Sequence, residues 1–144
     1  MKRTTMYVSL AGALMFSAAA FGISSAVDSP RTLMSRADYG VQKKVIETDS
    51  RISLGKCREL EGAARDVCKA EVRADERIKK ADLDARYHGT VAAAADARLA
   101  RAKAHYDVAK AKCSAYGSEQ KIDCLHSARA EKARAVADAK LASI

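Results

Sequence analysis

The chain has 144 residues, with 26 Lys and Arg against 18 Asp and Glu, four Cys, one Pro, two Phe and no Trp. That length suits a single domain, and the lack of Trp, with both Phe (Phe16 and Phe21) close to the N-terminus, excludes a core built on bulky aromatic side chains. Basic and acidic residues alternate with no run of five like charges, which excludes a nucleic-acid-binding tail and describes a solvated helix surface.

The N-terminus opens Met1-Lys2-Arg3, and no charged residue follows from Thr4 to Val27. The centre of that run is Leu10, Leu14, Met15 and Phe16, and it closes on Ser24-Ser25-Ala26. A basic start, an apolar middle and a small-residue end make a secretory signal over 1–26, with cleavage after Ala26 and a second option at Ala20. An uncleaved inner-membrane anchor is the alternative, since a span needs about 20 residues. Either way Lys2 and Arg3 stay in the cytoplasm and the rest is exported. No Cys lies near the cleavage site for lipid modification. Removing two basic residues and no acidic one leaves 24 − 18 = +6 on the exported chain. That excess favours anionic partners such as lipid head groups or lipopolysaccharide.

Residues 27–37 hold Pro30 and are expected to be a flexible N-terminal segment. Beyond them Ala is the commonest residue and Pro is absent, the composition of helices. Four helices are expected at roughly 36–60, 64–87, 91–115 and 119–142. The first offers Val41, Val45, Thr48 and Ile52 as an apolar stripe from which Cys57 is displaced. Gly62 can end this helix in a left-handed conformation. The pairs Glu47/Arg51, Glu61/Arg65, Glu76/Lys80 and Asp82/Arg86 stand at i, i+4 on exposed faces. His88-Gly89-Thr90 joins the second and third helices, as a turn or as a bend within one long rod. The third helix carries Ala92, Ala95, Leu99, Ala102, Tyr106, Ala109, Cys113 and Tyr116 at alternating spacings of 3 and 4, a coiled-coil seam. At Tyr116-Gly117-Ser118-Glu119 the glycine is expected to act as Gly62 does. Ser118 can cap the fourth helix, and Glu119 suits its positive end.

Cys57 and Cys68 stand eleven positions apart, as do Cys113 and Cys124, and the two pairs are offset by 56 residues. The same offset relates Lys56 to Lys112, Arg73 to Arg129 and Asp82 to Asp138. This is a duplicated helix-turn-helix unit, about 38–87 and 91–143, within a helical domain over 38–144. In an oxidising compartment four Cys form disulfides. The favoured pairing is Cys57–Cys68 with Cys113–Cys124, each tying a hairpin beside its turn. The rival places each pair on one continuous helical face and bonds across two helices, as in mitochondrial proteins with twin C-x9-C motifs, which this spacing resembles. The C-x2-4-C of a zinc site and the C-x-x-C of a redox catalyst are both missing.

His88, His105 and His126 never stand at i, i+4, and no nucleophile elbow or phosphate-binding glycine loop occurs. No catalytic residue, cofactor or metal ligand is therefore assigned. Tyr39, Tyr87, Tyr106 and Tyr116 could dock a ligand, with Tyr106 on the seam expected to pack in the core.

The repeated cysteine hairpin, from Lys112-Cys113 to Cys124-Leu125 and onward into an Ala/Lys/Arg/Asp helix, resembles a group of exported Gram-negative proteins. These are often labelled cell-envelope biogenesis or TolA-like. The resemblance covers about 39–142 and rests on the cysteine pair. It implies an all-α fold of stapled hairpins and a non-catalytic structural or interaction role in the periplasm, without TolA's part in energy transduction. The expected partner is an envelope protein or an anionic envelope component, not nucleic acid. Peripheral or anchored membrane contact, and homo-oligomers formed through the third-helix seam, are further options.

Overall fold

A computed structural model describes residues 34–142, so the signal and cleavage site expected over 1–26, and most of the 27–37 segment, lie outside the described residues. The described residues form four helices and no strand: α1 (Arg36–Lys56), α2 (Gly62–His88), α3 (Val91–Cys113) and α4 (Ser118–Leu141), with a 3-10 turn at Cys57–Glu59. The all-α expectation and its two stapled hairpins are borne out.

Local chemistry sets each boundary. The Ser35 hydroxyl accepts from the Asp38 N–H at 3.0 Å and donates to the Asp38 carboxylate at 2.7 Å, which caps α1 inside the segment expected to be flexible. Gly62 is left-handed, with φ +53°, but it opens α2 instead of ending α1. The 3-10 turn ends the incoming helix, where the Leu60 N–H reaches the Cys57 carbonyl at 3.3 Å. At the second staple Gly117 has φ −66° and extended ψ, so it is the N-cap of α4 and is not left-handed. Ser118 is then the first helical residue, not the cap. Three tightened bonds, from the N–H groups of Ser114, Ala115 and Tyr116, close the end of α3. Glu119 does lie in the first turn of α4.

The bent-rod alternative for the middle helices fails at Gly89. Its φ of +64° lets its N–H bond back to the Ala85 carbonyl at 2.9 Å, and the Thr90 hydroxyl accepts from Ala93 N–H at 3.1 Å. A left-handed stop followed at once by a side-chain cap reverses the chain. As a result α2 and α3 pack antiparallel along their lengths, and this is the most extensive helix pairing in the molecule.

Among the described residues each helix packs only on its neighbours in sequence: α1 on α2, α2 on α3, α3 on α4. The backbones of α1 and α4 do not approach. The fold is therefore an open serpentine of two stapled hairpins, not a closed four-helix bundle. The inner helices bury two faces. On α3 one face is Ala95, Ala102 and Cys113 from the expected seam, and a second face is Ala97 and Ala104. Alanine on both sides lets two neighbours come close while contributing little apolar area per residue. Leu83 is the one large aliphatic side chain that is fully buried among the described residues.

Candidate functional site

Both disulfides join the arms of one hairpin, Cys57 to Cys68 and Cys113 to Cys124, each with 5.6 Å between Cα atoms. The crossed pairing is excluded. Cys57 and Cys113 are fully buried, and no free Cys remains among the described residues. Bonds of this kind belong to an oxidising compartment outside the cytoplasm. Each ties the two arms of its hairpin beside the turn.

The buried face of α1 is not the one its aliphatic residues suggest. Val41, Val45 and Ile52 point outward, 62%, 52% and 57% exposed. The inward side holds Tyr39, Ile46, Ser50 and Cys57, which share a helical face and restore Cys57 to a continuous stripe. Polar chemistry holds this side to α2. The Tyr39 hydroxyl donates to Asp84 at 2.6 Å, and its ring lies 4.5 Å from that of Tyr87. The bond to the Asp84 carboxylate raises the Tyr39 pKa above its ordinary 10.0. Buried Ser50 donates to Glu76 at 2.7 Å, and Lys80 bridges Glu76 at 2.7 Å and Glu47 at 3.0 Å. The bonds from Lys80 and Ser50 lower the Glu76 pKa below its ordinary 4.5, and those two carboxylates raise the Lys80 pKa.

Only Glu76/Lys80 among the four expected i, i+4 pairs forms within its helix. Glu47 reaches across to Lys80, Arg65 donates to the Leu60 carbonyl, and Asp82 accepts two bonds from Arg101 of α3 at 2.8 Å. Arg77–Asp107 at 2.6 Å and Lys112–Glu71 at 2.9 Å add two more bridges from α2 to α3. Glu47 and Asp82 are thus spent on joining neighbouring helices.

Because α1 and α3 flank α2 without meeting, they leave an open groove of about 750 Å³ between them. Its apolar wall is Val45, Ile46, Ala85, Ala94 and Ala97, and its charged lining is Lys79, Arg86, Arg98 and Arg101 with Asp49 and Asp82. Arg101 is held by Asp82 and Lys79 by Asp75 at 2.7 Å. Arg86 reaches only Gln42 at 3.5 Å, and Arg98 only the Ala142 carbonyl at 3.4 Å. Neither meets a carboxylate among the described residues. The sequence reading missed these arginines. Arg98 and Arg101 at i, i+3 share a helix face, but nothing in one strand of sequence shows that α1 and α3 stand apart across α2 and leave a groove there.

The remaining candidates do not converge. His88 ends α2 with its ring 5.2 Å from that of Tyr87, His105 lines a smaller groove between α3 and α4, and His126 is exposed on α4. Tyr106 packs half-buried beneath Lys132, 4.6 Å from its ring centre, whereas Tyr116 is 54% exposed. Among the described residues no cluster of His, Cys, Asp and Glu could hold a metal, and no helix is long and apolar enough to cross a membrane. Comparison with known protein families, with characterised proteins and with solved structures gives no match for this chain.

Proposed function

We propose that this chain is a non-catalytic interaction protein of the Gram-negative periplasm, exported by the 1–26 signal and stapled there into helical hairpins that present a surface to an envelope partner. The observation that carries this reading is the open serpentine. It leaves an aliphatic stripe on α1 and a 750 Å³ groove beside it uncovered, where a closed bundle would hide both. A contiguous exposed apolar patch marks an interaction site, and the α1 stripe continues into the groove through Val45. The tests are direct. Mass analysis of periplasmic protein should give a chain beginning at Val27 with no free thiol. Deletion should sensitise cells to detergent or envelope stress. An intact N-terminus on cytoplasmic protein, or deletion without an envelope phenotype under any stress, would refute the reading.

A second reading, a binding module for an anionic envelope ligand, is favoured by one feature. Arg86 and Arg98 line the groove without carboxylate partners among the described residues. It predicts binding that weakens as salt rises.

A further inference from the structure

The two staples are not symmetrical bonds. Cys57 and Cys113, the members that follow or close α1 and α3, are fully buried. Cys68 on α2 and Cys124 on α4 keep part of their surface in solvent. Beside Cys68 the surface opens into a hollow of about 530 Å³, walled by Leu60, Ala63, Ala64, Val67 and Ala115 with Cys68 itself in the lining. We propose that the Cys57–Cys68 staple is a site of thiol–disulfide exchange with a fixed polarity, in which an incoming thiolate attacks the Cys68 sulfur and Cys57 is the leaving group. The chain is the substrate of this exchange, not its catalyst. The second staple has the same polarity, with Cys124 attacked and Cys113 leaving.

Which sulfur is attacked is decided by access. Cys57 has no surface for a nucleophile to reach, whereas Cys68 is open from the hollow. The step balances without any further oxidant or reductant. A bond forms between the incoming sulfur and Cys68, the Cys57–Cys68 bond breaks, and the Cys57 thiolate takes a proton from solvent. The incoming thiol is oxidised to a mixed disulfide as Cys57 is reduced.

The local charges admit an anionic nucleophile. Glu71 is the one carboxylate in the lining of the hollow, and Lys112 bridges it at 2.9 Å. Arg65 stands three positions before Cys68 on the same helical face and donates to the Leu60 carbonyl, with no carboxylate partner among the described residues. The consequence falls on α1. That helix packs on α2 alone and carries the exposed aliphatic stripe, so exchange at Cys68 would unlatch the arm that presents it.

Sulfite performs the same displacement and leaves a stable S-sulfonate on the sulfur it attacks, so its product records the polarity. The full exported, oxidised chain is treated with sulfite to low conversion, quenched in acid and alkylated at the released thiol. Tryptic peptides are then mapped by mass, since Arg58 and Arg65 separate the two cysteines. In native protein the sulfonate should fall on Cys68 and the alkyl group on Cys57, about tenfold over the reverse, and in urea the two sulfurs should be marked about equally. Reduced glutathione should give its mixed disulfide on Cys68. Ala64→Phe replaces an exposed side chain on the wall of the hollow, one turn from Cys68, and circular dichroism will show it folded. It should slow sulfonation of Cys68 about fivefold and leave that of Cys124 unchanged. Even marking of Cys57 and Cys68 in native protein, a majority on Cys57, or no reaction until urea unfolds the chain would each overturn the polarity. An unchanged rate in Ala64→Phe would overturn the hollow as the route of approach.

Discussion

At the scale of single residues, the molecule depends on very few large contacts. Leu83 is completely shielded in α2, and its companions in full burial are Cys57, Cys113 and the small Ala104. Truncating it removes hydrocarbon from the middle of three packed helices and leaves a cavity that alanine neighbours cannot fill. Leu83→Ala should therefore cost about 2–5 kcal/mol in urea unfolding, whereas Val41→Ala, on a side chain 62% exposed, should change stability by less than about 0.5 kcal/mol. Glu76 supplies the second lever. Its folded-state pKa is lowered by Lys80 and Ser50. A depressed carboxylate stabilises the fold above its unfolded pKa and loses that contribution as pH falls through the folded value. Stability should then be level near neutrality and decline in acid, beginning around the ordinary 4.5 and continuing below it. Glu76→Gln should be less stable than the parent at neutral pH and show a shallower acid decline, measured as unfolding midpoint against pH. An unchanged slope would mean that the Ser50–Glu76–Lys80 cluster does not contribute in solution.

At the scale of elements, α1 is the least embedded arm. It meets α2 alone, turns its aliphatic stripe outward, and is held by the Tyr39, Ser50 and Glu47 contacts together with Cys57–Cys68. Partly exposed ion pairs of the Glu47–Lys80 kind contribute about 0–1 kcal/mol each, whereas closing a loop of this length contributes about 2–3 kcal/mol. The Cys57→Ser/Cys68→Ser pair should accelerate amide exchange throughout α1 by one to two orders of magnitude, roughly the factor that 2–3 kcal/mol implies. The α2–α3 amides should stay protected. Uniform loss of protection would show that α1 is not a separable unit. The same helix explains what the sequence disclosed and what it hid. Helix limits were legible within a few residues because Gly62, Gly89, Thr90 and Gly117 act locally, and the disulfide pairing was legible because equal spacing beside each turn favours it. The inward face of α1 was hidden because its key member is Ser50, a polar residue whose burial is justified only by Glu76 on another helix. Val41, Val45 and Ile52 kept the apolar rhythm and face outward. Likewise Asp82 and Arg86 fit a local pair until α3 supplies Arg101 as a better bidentate partner. The groove could not be read at all, since it follows from α1 and α3 flanking α2 without meeting.

For the whole molecule, the question is what sustains a four-helix array that never closes on itself. A closed bundle buries a shared central core. Here burial comes in two-helix seams, most of it as alanine, with each seam contributing separately. Net stability of a domain near 110 residues is of order 5–15 kcal/mol, and two short disulfide loops together account for about 4–6 kcal/mol of stabilisation against the unfolded chain. The staples are therefore comparable to the entire margin. Reduction should not merely lower the melting temperature by a few degrees, as loss of one surface contact would. It should leave a chain that retains helical segments, since alanine-rich sequences support helix on their own, but that lacks a cooperative thermal transition at 37 °C and exposes amides along all four helices. The comparison to make is circular dichroism and calorimetry of oxidised, singly reduced and fully reduced protein. The expected order is a sharp transition, a broadened one in which one hairpin melts first, and none. If fully reduced protein melts as sharply as the oxidised form, the alanine seams suffice alone, and the duplicated cysteines must serve some end other than holding the hairpins together.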